Sequence, residues 1–254
     1  MDKETFELEF PGKKYENFAQ HPNGGGLVEN TARVDTFAFI GNNVIVFDNA
    51  MVYDFAEISG HARIHGNAEV YGYARVYDNA RVYGSAKIRG KARIFGNAKV
   101  YGNAEIRDFA EIYDDAEIYN NARILNYARI HGNARVYDNA EIRDFAEIYG
   151  CAEVYEDAQV YCNVQVYGSA KVGHSACIKI GDYYFEVFSF EHEKHVLTLQ
   201  SDGSILIGCE LLSAEEWLEQ YQTIGKANGY SDEEIEIYGG VIKSIYEGKI
   251  KYQE

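Results

Sequence analysis

Between residues 28 and 178 a Val or Ile stands at every sixth position, 26 times without a slip, from Val28, Val34 and Ile40 to Val166, Val172 and Ile178. Two residues before nearly all of them stands Ala; the exceptions are Gly26, Val44 and Val164. A period of six fits no amphipathic helix, whose apolar positions recur at about 3.6. Ala-x-Val/Ile-x is instead a short strand with one small and one branched residue facing inward. The two remaining positions, such as Gly-Asn, Asp-Asn or Asp-Phe, are turn chemistry, because Gly, Asn and Asp tolerate the positive φ that a corner needs. Each hexad is therefore one strand plus one corner.

The corners give the number of hexads per turn. The residue before the Ala is aromatic at Phe37, Phe55, Tyr73, Phe109, Tyr127 and Phe145, all multiples of 18 apart, with Lys91 in the one gap. A second series runs Thr31, Asn49, Asn67, Ser85, Asn103, Asn121, Asn139, Asp157, Ser175, and a third Asn43, His61, Asn79, Asn97, Asp115, Asn133, Cys151, Ser169. Three hexads per turn make a triangular coil with one aromatic and two Asn-rich corners. Like residues then stack at one strand spacing, about 4.8 Å.

An aliphatic residue followed four positions later by a small one, as in Val136-Tyr137-Asp138-Asn139-Ala140-Glu141, resembles the repeat of the hexapeptide-repeat proteins. The resemblance covers roughly 60% of the chain. It implies a mainly β fold, a left-handed parallel β-helix of eight to nine turns; the left hand is the family's and does not come from the spacing. The expected organisation is an N-terminal cap at 1–27, the β-helix at 28–180 and a small C-terminal α+β module at 181–254.

Within the cap, Phe6, Leu8 and Phe10 alternate with acidic residues and predict one strand, which covers the open end of the coil. In the C-terminal module, 183–190, 195–200 and 204–209 read as strands, with a turn at 201–203. Ser213-Ala214-Glu215-Glu216 is a capping box opening a helix to about Ala227, and Ser231-Asp232-Glu233-Glu234 opens a second to about Glu247. Trp217, Leu218, Tyr221, Ile235, Val241, Ile242 and Ile245 are its candidate core. The layout, a ββαα module with fifteen Asp and Glu, looks like the C-terminal module of uncharacterised hexapeptide-repeat proteins of phages and prophages.

A net charge of −16 argues against general nucleic-acid or anionic-membrane binding. No stretch approaches 18 apolar residues, and Met1-Asp2-Lys3-Glu4-Thr5 has neither the basic nor the apolar region of a signal peptide. Cys151, Cys162, Cys177 and Cys209 lack any CxxC spacing, so four free thiols in a reducing, cytoplasmic setting are expected. The coil's charge is uneven: residues 63–99 hold eight Lys/Arg against two acidic residues, and 105–157 hold thirteen Asp/Glu against five Arg.

The outward position after the aliphatic residue carries the functional signal. One face shows Phe47, His65, Tyr83, Tyr101, Tyr119, Tyr137 and Tyr155; another shows Tyr77, Phe95, Tyr113, His131, Tyr149 and Tyr167; the third mixes Tyr53, Tyr71 and Tyr161 with Arg89, Arg107, Leu125 and Arg143. Stacked aromatic residues shield a sheet whatever the protein does, and long aromatic stripes also make interfaces. The expected function is a non-catalytic scaffold that self-associates as a dimer or trimer through these tyrosine ladders. The contact residues are Tyr83, Tyr101, Tyr119 and Tyr137, then Tyr113 and Tyr149, and the C-terminal module meets a protein partner such as a host protein inhibited by a phage product. No cofactor and no metal site are expected. The alternative implied by the resemblance is a trimeric coenzyme A-dependent acyltransferase with His65 or His131 as general base. Such enzymes usually interrupt the coil with an extruded loop, and this coil has none. A three-His metal site is not matched either: His61 and His65 share one corner, while His131 lies almost four turns away.

Overall fold

The computed structural model describes residues 3–168, 170–173, 177, 178, 185–188, 197–200, 203–207 and 210–247, with backbone alone at 177, 178, 185–188, 198 and 200. The chain opens with helix α1 (Lys3–Glu9), strand β1 (Phe18–Gln20) and strand β2 (Leu27–Glu29). Two-residue strands then follow at every hexad, from Arg33–Val34 to Cys177–Ile178. Each pairs in parallel with the strand three places on, and the Cα partners lie 18 residues apart, as Lys99 with Glu117 and Val100 with Ile118. The three hexads per turn read from the corners are thus the three walls of a parallel β-solenoid. Its walls are sheets of ten, eight and nine strands among the described residues.

The inward pairs make one column of core. Alanines and aliphatics from Ala38 to Val172, with Val44 and Val164 in the small-residue positions, form a single buried cluster. One branched and one small side chain per wall fill the triangle. Between turns, backbone N–H groups donate to the carbonyls of the next turn, as Tyr101 N–H to Ile118 O at 2.9 Å.

The corners run through left-handed backbone, as the Gly, Asn and Asp content predicts. Asp48, Asp54, Asp78, Asp108, Asn120 and Asp138 lie at φ of 56–63°, and Gly66, Gly84 and Gly102 at 69–72°. The acidic residues there also act as acceptors. Asp48, Asp54, Asp78 and Asp114 take the N–H of Gly66, Gly72, Gly96 and Gly132 at 3.1–3.2 Å, one turn on. Beside them run amide ladders, Asn103 to Asn121 to Asn139, ending on Asp157 at 2.9 Å.

The N-terminal segment departs from the expected strand. Residues 3–9 are helical. Phe6 and Phe10, four apart, share one helix face and are buried, whereas Leu8 is 82% exposed. Alternation with charged residues favoured a strand, but the apolar partners on offer are the Leu27, Ile45 and Phe47 side chains on the outside of the first wall, and an i,i+4 pair meets them. The strand that covers the coil is β1, antiparallel to β2. The glycine run continues this cover along another wall, with Gly26 N–H donating to Ile40 O at 2.8 Å.

Among its described residues the C-terminal module holds four strands, Phe185–Phe188 (β3), Leu197–Gln200 (β4), Ser204–Ile207 (β5) and Glu210–Ser213 (β6), paired antiparallel in order. The last was not expected. Ile207 pairs with Glu210, and β6 runs straight into the Ser213 capping box. Helices α2 (Ala214–Ala227) and α3 (Asp232–Tyr246) begin at the two capping boxes as expected. Trp217, Tyr238 and Ile242 are buried with Leu197, Leu199 and Ile205, and Leu218, Tyr221, Val241 and Ile245 pack against them. Ser169, His174, Ser175, Ala176, His192, His195 and Cys209, and the turn at 201–202, lie outside the described residues.

Candidate functional site

Because outward side chains 18 residues apart occupy one register position, the aromatic series become continuous stacks. On the ten-stranded wall, here the tyrosine face, Phe47, His65, Tyr83, Tyr101, Tyr119, Tyr137 and Tyr155 follow one another at centroid distances of 4.5–5.3 Å, with planes within 11°. On the eight-stranded wall, Tyr77, Phe95, Tyr113, His131, Tyr149 and Tyr167 do the same at 4.6–5.2 Å. The nine-stranded wall stacks Tyr53 on Tyr71 and Arg143 on Tyr161, whose ring centroid lies 4.0 Å from the guanidinium.

The six tyrosines singled out in the sequence are half-buried by these stacks. Burial pushes the Tyr101 phenol up to about 12, with Glu117 adding to the effect. Tyr137 is raised too, first by burial and then by Glu153, whose carboxylate accepts its hydroxyl at 3.1 Å. Each ring therefore presents mostly an edge to solvent. The structure brings Tyr83, Tyr101, Tyr119 and Tyr137 together in one stack and Tyr113 and Tyr149 in another, on either side of His131.

A more exposed aromatic row lies elsewhere on the coil. Phe37, Phe55, Tyr73, Phe109, Tyr127 and Phe145 are 43–70% exposed. They stand on the corner between the nine- and eight-stranded walls, with neighbouring centroids 4.9–5.9 Å apart on each side of Lys91, whose ammonium lies 5.2 Å from the Phe109 ring centroid. A groove of about 440 Å³ runs beside them, floored by Arg93, Glu111 and Arg129. In the sequence this series served only to count hexads per turn. Its position just before the Ala, at the apex of a corner, was the available signal of exposure.

The outward charges are paired across turns. On the nine-stranded wall the column Glu69, Lys87, Glu105, Arg123, Glu141 is in register, with Lys87–Glu69 at 3.4 Å and Arg123–Glu141 at 2.7 Å. Arg89 also binds Glu105. One pairing is buried at the start of the coil. Glu29 accepts from Lys13 at 2.8 Å and from the Asp48 N–H at 2.7 Å. Burial alone would lower Lys13, but Asp48 and Glu29 outweigh it and hold the ammonium above its usual range.

His65 and His131 sit on different walls and do not converge. His65 is sandwiched between Phe47 and Tyr83, with Nδ1 3.8 Å from Asp48; burial lowers it, against the pull of Asp48. His131 is sandwiched between Tyr113 and Tyr149, its Nε2 3.3 Å from Glu147 and its Nδ1 3.9 Å from Asp114. A ring held on both faces has only its edge left for proton transfer. Among the described residues no group of three or more His, Cys, Asp and Glu is arranged to hold a metal ion. Cys151 and Cys162 are free thiols. A cleft in the C-terminal module, lined by Trp217, Tyr221, Tyr230 and Tyr238, encloses about 60 Å³, well below the several hundred Å³ of a coenzyme site. No helix among the described residues is long and apolar enough to cross a membrane.

Comparison with known proteins matches the repeat and little else. Residues 74–90, about one turn of the coil, match the family model of the YdcK beta solenoid repeat. Among solved structures the chain is similar to an Arabidopsis UDP-N-acetylglucosamine acyltransferase, at 13% identity over 92% of this chain and 85% of that one, with a TM-score of 0.36. At that distance no residue role passes from that enzyme to this chain. No curated protein matches it.

Proposed function

We propose that this protein is a non-catalytic scaffold: a rod that meets copies of itself through its aromatic rows and offers its acidic C-terminal module to a protein partner. The observation that carries this reading is a coil without interruption whose outer surface is spent on stacked rings, inter-turn ion pairs and amide ladders. The six tyrosines Tyr83, Tyr101, Tyr119, Tyr137, Tyr113 and Tyr149 are the seam read from the sequence. The resemblance to phage and prophage proteins would make the partner a host protein, met in the cytoplasm, where the cysteines stay thiols. Light scattering across a concentration series tests the reading. A defined oligomer supports it, and a monomer at every concentration removes the self-association half.

The second reading is the coenzyme A-dependent acyltransferase. It draws on one contact, the 3.3 Å approach of His131 Nε2 to Glu147, because a general base is helped by a carboxylate partner. Acetyl-coenzyme A separates the two, since a ligand that binds only the folded state raises the melting temperature. The scaffold should show no shift, the enzyme a clear one.

A further inference from the structure

We infer that the exposed row on the aromatic corner, Phe37, Phe55, Tyr73, Phe109, Tyr127 and Phe145, is a seam covered by a second copy of this chain, with the two rods antiparallel. The inference rests on the self-association reading and moves its seam from the flat tyrosine faces to this edge.

The first argument is area. An aromatic side chain presents about 200 Å², so six rings at 43–70% exposure leave about 700 Å² of apolar surface in one line. A monomer's largest apolar patch is about 300–600 Å², and each side of a stable interface buries about 800 Å². The row exceeds the first figure and, with its flanks, reaches the second. The face tyrosines offer less, because they are half-buried and each shows solvent an edge tipped with a hydroxyl.

The second argument is spacing. The rings repeat at 4.9–5.9 Å along a straight edge. A rigid surface of that period is met over its whole length only by a surface of the same period, and another copy of the rod has one. Self-complementary edges of this kind close as a two-fold pair.

The third argument is charge, which sets the direction. Parallel rods in register would lay Lys91 on Lys91 and the basic stretch 63–99 on itself. An antiparallel pair centred between Lys91 and Phe109 places each Lys91 against the other copy's Phe109, where an ammonium and a ring face attract. The same offset opposes residues 63–99, net +6, to residues 101–137, which hold six acidic residues and four Arg.

The test compares three proteins by sedimentation equilibrium: wild type, Phe109→Ser/Tyr127→Ser/Phe145→Ser, and Tyr101→Ser/Tyr119→Ser. All the substituted edge residues point to solvent, so a wild-type circular dichroism spectrum is expected of the edge variant. Its dimer dissociation constant should rise about thirtyfold or more, while the face variant stays within a few-fold of wild type. An edge variant that keeps the wild-type constant overturns the inference. If the face variant alone dissociates, the tyrosine face is the seam and the self-association reading stands. If wild type is a monomer throughout, that reading itself fails.

Discussion

Ile118 illustrates how little an inward position can absorb. It is fully buried in a column of branched residues and alanines, and nothing near it can pair a charge. Ile118→Asp should therefore abolish the cooperative fold, a buried unpaired carboxylate costing several kcal/mol; far-UV circular dichroism and a flat denaturant profile would show it. His65 gives a milder, pH-dependent effect. Burial holds its folded pKa below the ordinary value, so the folded state favours the neutral ring. Such a group contributes stability that is whole above about pH 6.5 and is lost as pH falls through the depressed folded value. The melting temperature should fall between pH 7 and pH 5, and His65→Phe should flatten that part of the curve. An unchanged slope in the variant would mean that His65 is not the group responsible.

Corners and caps behave as units, because each turn's corner rests on the next. A Cβ built on Gly60, at φ +65°, would lie 2.6 Å from the Asp78 backbone nitrogen, whereas one on Gly168, at φ +68°, would meet nothing within 4 Å. Both alanine variants carry the left-handed penalty of about 1 kcal/mol, but only Gly60→Ala must also push two turns apart. We expect Gly60→Ala to destabilise by about 2–4 kcal/mol and Gly168→Ala by about 1 kcal/mol, read from urea midpoints. The N-terminal segment is tied down by one buried pairing. Lys13→Met leaves the Glu29 carboxylate without its cation at a site 6% exposed. It should loosen α1 and β1 while the coil stays folded, seen as faster amide exchange over residues 3–20 alone.

As a whole molecule the rod is a stack of near-identical turns, each contacting its neighbours, so its stability is close to a sum of turn and interface terms. The outer surface decides what the rod does. The rings on its corner and faces, the uneven charge along its axis and the acidic module at one end of the chain make association the behaviour to measure. Thermal shift with acetyl-coenzyme A should show no change, and solution mass should show a defined oligomer. A coenzyme shift of several degrees would instead send attention to His131 and Glu147.

The hexad alone determined the coil, its 18-residue turn and its stacked columns, because a solenoid makes each residue's surroundings a function of its place in the repeat. The tyrosine stacks followed for the same reason. Both capping boxes were legible as local motifs outside the repeat. At the N-terminal end of the repeat, local pattern misled. Phe6, Leu8 and Phe10 alternate like a strand, yet the helix forms because two of those residues find a ready apolar surface on the first wall. The strand Glu210–Ser213 was hidden behind a capping box that begins at its last residue. Tertiary structure also decided which rings are available. Equal spacing makes the faces and the corner look alike in sequence, and rings stack in both places, but those on a flat wall stay half-buried, whereas those at the apex of the triangle project beyond the walls and are 43–70% exposed.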